Sequence, residues 1–188
     1  AAKRLAFSER GFEYGVEIEL AQKTGFYFDQ RENRARVEGL ARGRRVLDLY
    51  SYVGAFGLAA ARGGAEIVDA WNSSAAVVAE GAAIAHANGL GEKVRFAKGD
   101  VRRVIPKKAY RRLNANAMAL VTRGGILATC SCSAAMTEPD LLRAVALAAK
   151  DARREVSLLA VGHQGMDHPT PVAFPEGRYL DCAFVRVS

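Results

Sequence analysis

The chain has 188 residues, half of them apolar and a quarter charged, enough to bury the core of one globular domain. Lys and Arg number 27 against 20 Asp and Glu, a formal net charge of +7 that favours a polyanionic partner, nucleic acid first. No apolar run reaches the roughly 18 residues of a membrane span, residues 1–10 lack the apolar core of a signal peptide, and three cysteines do not make the even set of a secreted disulfide scaffold, so the cytoplasm is the expected location.

From Phe12 to Leu20 apolar residues fall on every second position with Glu13, Glu17 and Glu19 between them, which predicts a half-buried strand. Asp29 and Glu32 resemble a capping pair for a helix over about Gln30 to Arg42, closed by Gly43. Then come a strand at Arg44 to Tyr50, a helix at Ala55 to Ala61 stopped by Gly63 and Gly64, a strand at Glu66 to Ala70, a helix at Ser73 to Asn88 and a strand at Lys93 to Ala97. This alternation implies a parallel sheet. From Val101 to Lys108 no strand fits. Beyond it the pattern predicts a helix at Tyr110 to Val121, a strand at Gly125 to Cys130, a helix at Glu138 to Ala152, and strands at Glu155 to Val161 and Tyr179 to Val187. Residues 1–28 stand outside the alternation as a β appendage, and residues 29–188 read as one α/β domain.

Val46 to Gly57 reads as a buried strand, a small-residue turn and a helix N-terminus, and the carboxyl ends of strands in open α/β sheets are where ligands bind. Gly54 would let a backbone approach a ligand closely; equally, Asp48 caps the turn and Gly54 merely permits it. The spacing is not Gly-x-Gly-x-x-Gly, which disfavours a nicotinamide enzyme. Asn72 and Asp100 follow the next two strands and are placed to face the same crevice. Cys130 and Cys132 lie at the end of the strand that begins at Gly125. A zinc site lacks a second ligand pair, because His86, His163 and His168 are scattered, so no metal is expected. Cys130 suits buried packing, Cys182 a structural place in the last strand, and Cys132 the crevice rim, where a thiol acts as a nucleophile.

These segments together resemble the S-adenosylmethionine-dependent cytosine-5 methyltransferases of large-subunit ribosomal RNA, of the type that carries an N-terminal PUA domain. Residues 23–31 (Lys-Thr-Gly-Phe-Tyr-Phe-Asp-Gln-Arg) look like that family's entry motif, Leu47 to Gly57 like its cofactor motif and Gly124 to Ser133 like its Gly-Gly and Ser-Cys-Ser segment. Asp167-His168-Pro169 and Phe174 to Leu180 look like its ending. The resemblance implies a Rossmann-like α/β fold of the class I methyltransferases with a mostly parallel sheet, S-adenosyl-L-methionine as cofactor and ribosomal RNA as partner. It assigns Phe26, Asp29, Gln30, Arg31, Asp48, Ser51, Gly54, Asn72 and Asp100 to the cofactor, and His168 and Arg178 to the substrate. Cys132 matches the thiolate that adds to C6 of cytosine so that C5 can take the methyl group. A free thiol is only a few per cent ionised at neutral pH, so the site is expected to supply positive charge or a base, with Arg31 or Arg178 as candidates.

Two departures qualify that reading. The family has Asp where this chain has Asn72, which exchanges charge-assisted bonds of about 1.5–3 kcal/mol for neutral ones of about 0.5–1.5 kcal/mol. The family also carries an Asp-Pro-Pro motif after a central strand, and this chain has neither between Asp100 and Tyr110. Residues are therefore expected to be missing between about Arg103 and Ala109; a real deletion would give a rearranged or partner-completed sheet. The PUA domain is absent too, as expected of a catalytic fragment or shortened relative. The alternatives are a methyltransferase-fold relative that binds RNA or cofactor without turnover, and a small-molecule methyltransferase. Many basic residues, among them Arg102, Arg103, Lys107, Lys108, Arg111 and Arg112, are either an RNA contact or a solvated face.

Overall fold

The computed structural model describes residues 3–20, 26–99, 109–133 and 135–188, so Asp100 and the segment from Lys23 to Gly25 lie outside the described residues, as does the suspected gap near Arg103. The chain divides into two compact units, Ala1–Val101 and Arg102–Ser188.

The first unit opens with a hairpin. Strands β1 (Arg4–Glu9) and β2 (Phe12–Glu17) pair antiparallel around Arg10 and Gly11, both at positive φ, as a two-residue hairpin turn requires. The expected strand stops at Glu17, opposite Arg4; the Ile18 N–H still donates to the Lys3 carbonyl at 2.9 Å, but Ile18–Leu20 form a 3-10 turn and Ile18 is 51% exposed. Phe12, Tyr14 and Val16 alternate inward into a core shared with Val53, Leu58, Val68 and Ile84. The appendage is thus part of the first unit's core. The expected Asp29 cap is not formed: Asp29 is buried within the 3-10 turn Phe28–Gln30, and Gln30 stands ahead of α1 (Arg31–Leu40) without a side-chain cap.

Next come β3 (Arg45–Leu49), α2 (Ala55–Arg62), β4 (Ile67–Asn72), α3 (Ala75–Ala87) and β5 (Val94–Lys98). The three strands pair in parallel in the order β3-β4-β5, as expected of two β-α-β crossovers. Ser74 caps α3 by accepting the Val77 N–H, and Gly89 follows the helix at φ +69°.

The second unit holds α4 (Ala109–Leu120), β6 (Gly125–Ser131), α5 (Glu138–Ala152), β7 (Val156–Gly162) and β8 (Asp181–Val187). Thr137 caps α5 and Pro139 sits in its first turn, which is why that helix begins where the sequence places it. The sheet order is β6-β8-β7, with β8 antiparallel to both neighbours. The α/β alternation alone would give three parallel strands; the loop before β8 instead brings it back between the other two. Met118, Val145, Ala148, Val185 and Val187 form the core. Among the described residues, β3 and β6 each have one strand partner, and no helix is long and apolar enough to cross a membrane.

Candidate active site

In the first unit the carboxyl end of β3 runs into a turn that its backbone could reach only with unusual torsions: Tyr50, Tyr52 and Gly54 all have positive φ. The turn is pinned to β4, because the Ser51 N–H and hydroxyl both donate to the Trp71 carbonyl, at 3.0 and 3.2 Å. The Gly54 N–H donates to the Ser51 carbonyl, and α2 starts one residue later. Asp48 Oδ2 accepts the Gly57 N–H at 3.1 Å, the capping role that the sequence leaves open for it. Burial pushes the Asp48 carboxyl up to about 7, the Gly57 hydrogen bond opposing the shift. A Cβ on Gly54 would lie 2.4 Å from the Phe96 ring, so the close approach that Gly54 permits is made by that ring.

The entry segment lies beside this turn, Tyr27 meeting Tyr52 edge to face with centroids 5.9 Å apart. Phe26 is buried among Phe7, Tyr14 and Phe28. Arg34, 2% exposed, donates through Nε to Glu9 at 3.0 Å and through a second nitrogen to the Tyr27 carbonyl at 2.9 Å, fastening hairpin, segment and α1 together. Gln30 accepts from Asn33 at 2.9 Å, and Arg31 stands 3.8 Å from Glu9. Asn72 ends β4 with its side-chain oxygen engaged by the Ser74 N–H at 3.0 Å. The structure therefore gathers Asp29, Gln30, Arg31, Asp48, Ser51, Gly54 and Asn72 within one unit and sinks Phe26 in its aromatic core.

In the second unit Cys132 follows β6 directly and is an exposed free thiol. The residue before it, Ser131, shares a 2.8 Å hydrogen bond with the Tyr110 hydroxyl and accepts the Ser133 N–H at 3.3 Å, fixing the strand end on both sides of the thiol. Cys130 and Cys182 are bridged by a disulfide, directly opposite in the β6–β8 ladder. This corrects the expectation of unpaired cysteines: 52 residues separate the two, and only the central place of β8 joins them. Arg178 donates to Glu138 Oε2 at 3.1 Å, and His168 stands 3.3 Å from Asp167. Sequence reading missed Glu138 and Asp181, which meet His163 and Arg178 at the same end of the sheet; their sole signal was their place at the start of an element.

A family model described as S-adenosylmethionine-dependent methyltransferase matches residues 3–99. The Ribosomal RNA large subunit methyltransferase I of Shewanella denitrificans is 34% identical over 216 residues, taking in 99% of this chain and 54% of that protein. The protein of that name from Aeromonas salmonicida is 33% identical over 212 residues, with 97% and 54% covered. Among solved structures, a chain from Streptococcus mutans assigned to the SAM-dependent methyltransferases superimposes with a TM-score of 0.88 at 21% identity, covering 99% of this chain and 56% of that one. Trm5b from Pyrococcus abyssi gives 0.78 at 18%, covering 100% and 56%. The fold is Rossmann-like, and the chain belongs to the S-adenosylmethionine-dependent methyltransferase family, whose cofactor is S-adenosylmethionine. It spans about half the length of the curated relatives it matches. Since 99% of 188 residues is about 186, roughly 30 of the 216 matched positions have no counterpart here, the size of one strand with its crossover.

Proposed function

We propose that the chain is the catalytic part of an enzyme that methylates C5 of a cytosine in large-subunit ribosomal RNA, with Cys132 as nucleophile. The observation that carries this reading is a free, exposed thiol held at the carboxyl end of β6 by the Tyr110–Ser131 bond. The names of the relatives in Shewanella and Aeromonas point to the same substrate. S-adenosylmethionine, when bound, supplies an electrophilic methyl group on a sulfonium.

The donor set of the first unit fits that cofactor. Asp48 has a carboxyl whose charge is finely balanced near neutral pH, Ser51 and Asn72 stand at the ends of adjacent strands, and Asp29, Gln30 and Arg31 border the same turn through Tyr27 and Tyr52. We assign Phe26 to supporting that segment from the core, and Asp100 to the adenosine part. Cys132 adds through Sγ to C6 of the ring, which makes C5 the nucleophile; after methylation the C5 proton leaves and the thiolate is expelled. His168 and Arg178 are assigned to the RNA, along with the basic face of α4, where Arg111 and Arg112 line a depression of about 560 Å³. The protein is assigned to the cytoplasm.

The test is methyl transfer from labelled cofactor to a large-subunit rRNA fragment, with the product nucleoside identified by mass spectrometry. We expect 5-methylcytidine from the wild-type chain and none from Cys132→Ala, with cofactor binding retained. Methylation of another atom, or an unimpaired Cys132→Ala variant, overturns the reading. The roughly 30 positions without counterpart favour a second reading, a relative that binds RNA and cofactor without turnover; binding of both with no methyl transfer would establish it.

A further inference from the structure

The chemistry just described needs a group to take the C5 proton, and the second unit offers one away from Cys132's own strand. The ladder sets Ser131 of β6 against Asp181 of β8, and Gly162 of β7 against Cys182 of β8. His163, the next residue after β7, therefore comes level with Asp181, two strands from the end of β6. At about 4.8 Å per strand that is roughly 10 Å between the backbones of the two strand ends, a spacing on the scale of a pyrimidine nucleotide.

Asp181 is 4% exposed, and its Oδ1 lies 3.0 Å from His163 Nδ1. A buried carboxylate has to be partnered, and a histidine that gives its Nδ1 proton to one carries its basic lone pair on Nε2. The same pairing makes an imidazole a general base in hydrolases of unrelated fold. The His163 side chain is 35% exposed, so a nucleotide can reach it. Glu138 Oε2 lies 3.9 Å from His163 Nε2, on the far side of the ring from Asp181. Arg178 donates to Glu138 at 3.1 Å and stands 3.8 Å from Asp181. Glu138, His163 and Asp181 are also close enough to hold a metal ion, all within 4.8 Å. The Arg178 guanidinium, however, already brings positive charge against both carboxylates, and this favours a proton relay over a cation cage.

We infer, resting on the C5 reading above, that His163 is the proton acceptor of the reaction and Asp181 its positioning residue. With the methyl group on C5 and Cys132 Sγ bonded to C6, Nε2 takes the C5 proton. The C–H electron pair becomes the C5–C6 double bond, the C6–S bond breaks, and its electron pair returns to Cys132 as thiolate. The proton then passes from Nε2 to water.

The experiment uses the whole chain, unlabelled S-adenosylmethionine and a large-subunit rRNA fragment carrying tritium at cytosine C5. Two quantities are read: tritium released to water, and protein–RNA adduct that survives denaturant. In His163→Ala we expect release to fall by about 100-fold or more, the usual contribution of a general base, while adduct accumulates. His163→Gln keeps a donor for Asp181 without the base and should behave the same way, which separates loss of the base from loss of fold. Asp181→Asn should lower release about tenfold with KM for RNA unchanged, as expected of partial misorientation. Release at the wild-type rate from either His163 variant overturns the inference, as does loss of adduct together with release. A wild-type chain that methylates RNA without releasing tritium refutes the C5 reading itself, an outcome distinct from failure of the His163 assignment.

Discussion

Asp48 makes the stability of the first unit depend on pH in a direction opposite to that of most carboxylates. Burial raises its pKa from an ordinary 3.8 to about 7, so the folded state holds the proton more tightly than the unfolded chain. The stability contributed by the protonated form is therefore fully present below about pH 4 and is lost as pH rises through 7. A shift of about three units is worth about 4 kcal/mol at most at 1.36 kcal/mol per unit, and the partial exposure of the strand end reduces this to about 2 kcal/mol. Asp48→Asn removes the charge while keeping an oxygen to accept the Gly57 N–H, now 3.1 Å away. The chain has a single tryptophan, Trp71, on β4 directly opposite Leu49, so its fluorescence reports this unit in urea titrations at pH 5 and pH 8. About two of the three units of the shift lie between pH 5 and pH 8, so we expect the wild type to lose about 1 kcal/mol relative to Asp48→Asn over that interval. Equal pH dependence in the two proteins would refute the reasoning, and a wild type that gains on the variant with rising pH would reverse its sign.

Three more outcomes are expected. Arg34→Leu leaves the buried Glu9 carboxylate with Arg31 at 3.8 Å in place of its hydrogen-bonded partner and should cost up to about 3–5 kcal/mol in urea unfolding, most of it recovered when Glu9→Met is added. Gly54→Ala places a Cβ against Phe96 at φ +81° and should cost about 2–4 kcal/mol; Phe96→Leu relieves the clash but not the backbone strain, so thermal unfolding of the double variant should show partial recovery. Arg111→Ala with Arg112→Ala should weaken RNA binding and lower the slope of log affinity against log salt by about one for each phosphate left without its cation, read by filter binding over a range of salt.

What the sequence disclosed follows the reach of its signals. The Glu138–Ala152 helix was legible to the residue, because Thr137, Pro139 and an amphipathic Leu/Ala pattern are local. The strands of the first sheet were placed within two residues for the same reason. β1 went unread, since Arg4 to Glu9 mixes charges into a strand whose stability comes from its partner. Asp29 looked like a cap from its spacing to Glu32, but tertiary burial draws it into the turn before the helix. The place of Cys132 just past the end of a strand was legible locally, whereas the bridge of its neighbour Cys130 and the Asp181–His163 pair depend on β8 crossing back between β6 and β7, a long-range choice with no local code. The Glu9–Arg34 pair was hidden likewise: two charged residues 25 positions apart look like surface until the fold closes over them.

The place of β8 also fixes an order of events during synthesis. Among the described residues β6 and β7 pair with β8 and not with each other, so this three-stranded sheet cannot form until the strand made after both has left the ribosome. Cys130 and Cys182 are 52 residues apart, which at about 5–20 residues per second is several seconds of translation. Once β7 has been made, the second unit has its two described helices and two strands still without their shared partner, and the Cys130 thiol is still unpaired. Slowing codons between Gly162 and Asp181 would lengthen that unpaired interval in direct proportion, and with it the time in which the bare strand edges can aggregate.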